Sequence, residues 1–218
     1  MKNLRQNRHK SNRSNAYSGS KKSNWQDFDP YASELALIRA DRNPTTTLEI
    51  ADDVQIDVYE RPVRESFVRP FSIDDLENAL KTVPIRFLSG LNRILLFGGT
   101  KKQEQSARRL FRDGMYYPDE RMIAIFPFLR RKMDYCCFRF SPHHFQEFRW
   151  AGAKIVQNGN EIYAQFDMEN LKSYYLKIVL IHEIGHHVDW LRNKNDPKCK
   201  LTEEFADWFV GRFQNEFE

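Results

Sequence analysis

His182 and His186 enclose Glu183 in the run His182-Glu183-Ile184-Gly185-His186, which follows the largely apolar Leu176-Lys177-Ile178-Val179-Leu180-Ile181. Residues four apart share one face of an α-helix, so the two imidazoles can each aim a nitrogen at a single ion about 2.0–2.1 Å away. Glu183 projects to the side, placed to take a proton from water on the ion rather than to bind the ion itself. Random placement of these residue types yields the pattern roughly 0.01 times per chain, the residual accident rate of a short motif. The bland alternative is a buried helix whose histidines hydrogen-bond to their neighbours.

A catalytic zinc usually takes three protein ligands and leaves a fourth position for water. The third ligand is expected from Glu203-Glu204-Phe205-Ala206-Asp207, a loop beyond His186. Glu203 and Asp207 are four apart, so Glu203 is the expected ligand. Asp207 is the expected acceptor for the free N–H of a ligating histidine. Glu204 stays open as the ligand, and the helix dipole alone would also favour such an acidic first turn. Of the neighbours, Asp189 suits a surface cap or salt bridge, or an added orienting group, and His187 the polar flank of the helix. Gly185 costs a helix about 1 kcal/mol relative to Ala, which suggests that another backbone or a ligand comes close there, or that the helix packs on a strand.

The run His-Glu-Ile-Gly-His-His-Val-Asp, with Glu203-Glu204-Phe205-Ala206-Asp207-Trp208-Phe209 after it, resembles the gluzincin pattern of metallopeptidases over about residues 176–210. Within that clan it is similar to the ImmA/IrrE-type enzymes and to the catalytic domain of anthrax lethal factor. The resemblance implies a Zn2+ cofactor, a zincin-like fold and hydrolysis of peptide bonds in a specific protein substrate, with Glu183 as general base on zinc-bound water. It also implies a substrate lying extended along an edge strand above the motif helix. One arm of a 153–166 hairpin, or a 122–126 strand, is the candidate edge. Lethal-factor-like enzymes carry a tyrosine shortly before the glutamate ligand, but Leu191 to Thr202 contains none. Tyr116, Tyr117, Tyr163, His143 and His144 are the candidates for its role.

Elements of suitable length surround the motif. A helix is expected over 31–40, extended chain over 46–60, and a helix from Ser72 through Leu76 and Leu80 to Val83, ahead of Pro84. Leu91–Phe97 reads as a buried strand closed by Gly98-Gly99, and 102–113 as a polar helix stopped by Gly114. Residues 116–126 read as a turn at Pro118-Asp119 followed by a strand. Asn158-Gly159 between alternating residues marks the 153–166 hairpin. The motif helix is expected from about Met168 to Arg192, and a last helix from Thr202, as N-cap, to about Asn215. The expected class is α+β, a mixed sheet packed on the motif helix with the C-terminal helix supplying the third ligand.

At 218 residues and 41% hydrophobic, with 17 Phe and 9 Tyr, the chain can bury a core without disulfides. Residues 26–218 are expected to form one domain. The three cysteines, two of them adjacent, are poorly spaced for a secreted scaffold and offer no thiolate zinc site. With no apolar leader and no membrane-length run, a cytoplasmic location is expected. Residues 1–22 hold seven Lys or Arg and no acid, so the remainder carries −3 of the formal +4. Residues 1–25 therefore read as a disordered basic tail capable of weak nucleic-acid contact. That tail, with Lys101, Lys102, Arg108, Arg109, Arg112 and Arg130-Arg131-Lys132, supports an alternative: a nucleic-acid-associated protein, or an interaction module with a non-catalytic zinc.

Overall fold

The extended chain around residue 50 folds back at Asp52-Asp53 into two strands, β1 (Thr46–Ala51) and β2 (Val54–Glu60), paired antiparallel from Thr46↔Val58 to Ala51↔Val54. Alternation sends Val54, Ile56 and Val58 into the core. The structure, a computed structural model, describes residues 43–101, 104, 113–130, 134–136, 142–158, 161–194 and 201–217. The basic tail and the helices expected over 31–40 and 102–113 lie outside the described residues, apart from Glu104 and Asp113.

After β3 (Phe67–Val68) comes α1 (Ile73–Thr82), started by a capping box in which Ser72 Oγ accepts the Asp75 N–H at 3.1 Å and Asp75 accepts the Ser72 N–H at 2.9 Å. Its apolar face buries Leu76 and Leu80, and Pro84 stops it. A 3-10 turn (Ile85–Phe87) leads to β4 (Arg93–Leu96), which runs parallel to β2. Next come β5 (Gly114–Tyr117), β6 (Met122–Ile125) and the short β7 (Phe128–Leu129), which pairs with β3. The main sheet has the order β1-β2-β4-β6-β5 and is mixed, with β4 and β6 parallel and β5 antiparallel to β6.

This order corrects one expectation. The 122–126 strand is not an edge: β6 lies between β4 and β5, and all four of its residues are buried. The edge next to β6 is β5, where Tyr116 and Tyr117 extend instead of opening the expected turn. Its partner β6 draws Gly114-Met115-Tyr116-Tyr117 into the ladder, and Pro118 to Arg121 make the turn, with Arg121 at φ 48°.

The expected hairpin forms as β9 (Lys154–Asn158) and β10 (Glu161–Gln165), and β10 also pairs with β8 (Asp134–Cys136), giving a second, three-stranded sheet. Between β8 and β9 lies α2 (Pro142–Trp150), which the sequence reading left unassigned. The motif segment then runs without a break from α3 (Met168–Ser173), through a π-helical stretch (Tyr174–Val179), into α4 (Leu180–Asn193). Last comes α5 (Glu203–Phe217), where Thr202 Oγ1 accepts the Phe205 N–H at 3.3 Å.

Among the described residues this is a mixed α/β arrangement of one mixed sheet, two smaller sheets and four helices, counting α3 to α4 as one. One face of the main sheet, with Ile56, Val58, Ile94 and Ile123, packs in one cluster with Leu76 and Leu80 of α1, Leu180 and Ile184 of α4 and Val210 of α5. The sheet thereby fixes β5 beside α4. No described helix is long and apolar enough to cross a membrane.

Candidate metal centre

The helix that carries His182 and His186 is anchored at its N-terminal end. Tyr175, almost fully buried, donates to the Phe126 carbonyl at 2.9 Å, and the Lys177 carbonyl of the π stretch accepts from Gln214 of α5 at 2.9 Å. A π stretch hydrogen-bonds i→i+5 and so widens each turn. Tyr174, Ile178, His182 and His186, each four residues apart, all line one cleft of about 600 Å3. A regular α-helix would turn such a series progressively away from it.

At the floor of that cleft three ligand-capable side chains converge. His182, His186 and Glu203 offer one donor atom each, all within 4.8 Å of one another. His182 Nε2 lies 3.2 Å and His186 Nε2 3.7 Å from Glu203 Oε2. Donors on a tetrahedral zinc with bonds of 2.0–2.2 Å sit about 3.3–3.5 Å apart, so both histidine–Glu203 distances are within a few tenths of an ångström of that spacing. His182 Nδ1 faces Asp207 Oδ1 at 3.2 Å, which fixes the ring with Nε2 towards the cluster. Glu204 is exposed and outside the cluster. The donor set suits a divalent ion such as Zn2+, with two imidazoles, one carboxylate and an orienting carboxylate behind.

Charge at the site favours a cation. The hydrogen bond to His182, with the His186 ring close by, holds the Glu203 carboxyl far below the usual range. Burial pulls His182 down, yet its hydrogen bond to Glu203 and the charges of Glu183, Glu203 and Asp207 leave it raised. Glu183 is 5% exposed, and burial outweighs the two histidines to push it up to about 7. The Tyr116 backbone N–H donates to this carboxylate, but its Oε2 is buried with no hydrogen-bond partner among the described residues, as is His186 Nδ1. Natural structures rarely leave a buried carboxylate oxygen without a partner, and such an atom calls for an ion, a water or a catalytic role to account for it.

β5 closes the cleft above α4. A Cβ on Gly114 would lie 2.6 Å from Glu183 Oε1 and 2.9 Å from Val179 Cγ1, so only glycine lets the strand come this close. Gly185 serves the other side of the helix: its Cβ would lie 3.0 Å from Ala206 Cα, so the close neighbour is helix α5, not a strand. Through that contact α5 brings Glu203 within reach of the histidines.

Three neighbours depart from expectation. His187 is no flank residue: it is fully buried, with Nδ1 2.9 Å from the Tyr116 hydroxyl and Nε2 3.1 Å from the Ser89 carbonyl. Burial lowers its pKa, and the pattern of partners makes Nε2 the protonated nitrogen, donating to Ser89, while Nδ1 accepts from Tyr116. Asp189 is buried as well. It accepts from Asn193 Nδ2 at 2.7 Å and from the Thr202 N–H at 3.2 Å, tying the start of α5 to α4 one residue before Glu203. Tyr116 turns its hydroxyl to His187 and away from the cleft, because alternation along β5 points that ring at α4.

The remaining tyrosine and histidine candidates stand elsewhere. Tyr117 is on the opposite face of the sheet, Tyr163 lies on β10, and His143 and His144 fall on α2. Tyr174, which the sequence reading did not single out, does line the cleft and donates to Asp113 at 3.0 Å. Its spacing of eight residues from His182 was the available signal. Of the basic residues proposed for nucleic acid, Arg130 donates to the Phe67 carbonyl and Lys101 is exposed. Lys102, Arg108, Arg109, Arg112, Arg131 and Lys132 lie outside the described residues. Set against family models, curated proteins and solved structures, the chain matches none.

Proposed function

We propose that the chain is a zinc-dependent metallopeptidase with a zincin-like fold, hydrolysing peptide bonds in a specific protein substrate. One observation carries this: His182, His186 and Glu203 converge beside a buried Glu183 oxygen that has no partner, in a cleft open to a substrate. A purely structural zinc site has no use for an unsatisfied carboxylate, since structural sites are closed by four protein ligands. A divalent ion held by the three would supply Lewis acidity, bringing the pKa of coordinated water towards about 7 and polarising a carbonyl.

The other parts belong to the protein. Glu183 is positioned to take the proton of the attacking water and deliver it to the leaving amine. Asp207 keeps His182 in the ligating orientation. β5 offers the edge along which an extended peptide adds as a strand, its main-chain groups directed at the bond to be cut. Asp113, Gly114, Met115 and Tyr116 bring that strand to the cleft wall.

The test is metal content and peptide cleavage measured together. Glu183→Gln is expected to retain one zinc per chain while cleavage of a mixed peptide library falls by at least ~100-fold. Undiminished cleavage in that variant, or wild-type protein that takes up no zinc, would sink the reading.

A further inference from the structure

On the side of the α4–α5 pair away from the metal cleft lies a second concavity of about 210 Å3, and no residue lines both. Its walls are Phe87, Phe205, Trp208, Phe209 and Phe213, with Val188. Arg86, Arg192 and Arg212 stand around it, each stacked on an aromatic ring: Arg86 on Phe87 at 4.6 Å, Arg192 on Phe205 at 5.2 Å and Arg212 on Trp208 at 5.5 Å. No Asp or Glu appears among the described lining residues, and neither Arg86 nor Arg192 forms an ion pair with a described residue. Trp208 is 51% exposed and Ile85, beside Arg86, 41%.

We propose that this groove docks a partner protein through an acidic peptide segment bearing one large apolar or aromatic side chain. Three features select that occupant. A volume near 210 Å3 is below the roughly 300–1,000 Å3 of small-molecule and cofactor sites and suits a single inserted side chain. For Arg86 and Arg192 stacking occupies one face of the guanidinium and leaves edge N–H groups for carboxylates, which match that planar fork two bonds at a time. Exposed Trp and Arg around an apolar floor, without lysine or acid, is the composition of a protein-interface hot spot. A nucleic-acid track would instead run as an extended basic groove, whereas these three cations converge on one dimple.

The proposal does not depend on the chemistry in the cleft, and binding tests it directly. Full-length labelled protein is applied to an array of seven-residue peptides, each with one Trp, Phe or Leu flanked by Asp and Glu, beside a matched array with Lys in place of the acids. The acidic array is expected to retain the protein at least ten times more strongly. The double variant Arg86→Glu/Arg192→Glu should lose that retention, and Trp208→Ala should weaken it several-fold, with circular dichroism and zinc content unchanged. Equal retention by both arrays, or retention indifferent to these substitutions, overturns the proposal. So does tighter binding of a labelled single-stranded oligonucleotide that the double variant abolishes, or a dimer in sedimentation that Trp208→Ala dissolves. Retention appearing only when Trp25 and Phe28 are replaced by Ala would assign the groove to the chain's own Trp25-Gln26-Asp27-Phe28-Asp29 stretch, and would overturn it as well.

Discussion

His186 and His187 are neighbours on α4, yet their surroundings are opposite. His187 is enclosed, with a partner on each ring nitrogen, and its lowered pKa keeps it neutral as a bridge from α4 to β5 and the Ser89 turn. His186 opens to the cleft, one nitrogen without a partner among the described residues and the other 3.7 Å from Glu203, too far for a hydrogen bond. The difference separates two uses of one residue type on one helix. A polar group whose bonds are complete holds structure, and one whose bonds are incomplete is prepared for something else.

Substitution turns that contrast into the largest expected effect. His186→Ala removes one of the three proposed ligands, so zinc content is expected to fall to background and any cleavage with it, while the fold persists. His187→Phe keeps ring volume but strands the buried Tyr116 hydroxyl, at a cost of about 1–3 kcal/mol, and removes the bond to the Ser89 carbonyl. That variant should bind zinc at neutral pH and unfold at clearly lower urea. If zinc uptake fails in His187→Phe and survives in His186→Ala, the two roles have been assigned the wrong way round.

A smaller effect is expected where the two uses meet, at Gly185. Alanine there gains helix propensity of about 1 kcal/mol. Its Cβ, however, would press on the Ala206 backbone at 3.0 Å and on Phe209 Cβ at 3.2 Å, and overpacking of that kind costs about 1–3 kcal/mol. The cost is the larger, and α5 moves away carrying Glu203. Gly185→Ala should therefore lower both stability and zinc affinity, whereas His187→Phe lowers stability and His186→Ala affinity. Calorimetric zinc titration beside urea unfolding separates the three, and an affinity unchanged in Gly185→Ala would show that α5 does not set Glu203.

The parts of the site that local periodicity controls were legible in the sequence. The four-residue spacing of His182 and His186 and that of Glu203 and Asp207 are helical facts, and a short loop leaves the two helices little choice but to lie side by side. Parts decided by long-range pairing were not. Nothing within Met122–Ile125 says that it has a strand on either side, because β6 becomes interior only through β4 and β5. Gly114 reads as a helix stop, and its actual role is set by Glu183, 69 positions along the chain. Asp189 and His187 look like surface residues on a helix, and burial by β5 and by the start of α5 makes them internal ties. The π stretch at Tyr174–Val179 leaves no mark in composition, since the same residues serve equally well in an α-helix.

The smallest expected effect is a control from the surface. Asp75 is as completely bonded as His187, but exposed: hydrogen bonds from Lys172, then from the Ser72 backbone and hydroxyl, lower its pKa from 3.8 to about 2. A carboxylate with a lowered folded pKa contributes stability that is complete above its unfolded value and is lost as pH falls through the folded one. For Asp75 the loss runs from just above pH 3.8 down to about 2. Other carboxylates titrate in the same range, Glu203 among them, so the informative quantity is the difference between wild type and Asp75→Asn in the metal-free protein. That difference should be present at pH 5 and shrink towards pH 2, with zinc affinity at neutral pH the same in both. A pH-independent difference would mean that Asp75 acts through its cap geometry, which Asn also provides in part, and not through its charge. A change in zinc affinity would mean that the pairing of α1 with α3 through Lys172 reaches the metal helix, and would blur the line between the groups that hold this fold and those that stand open in its cleft.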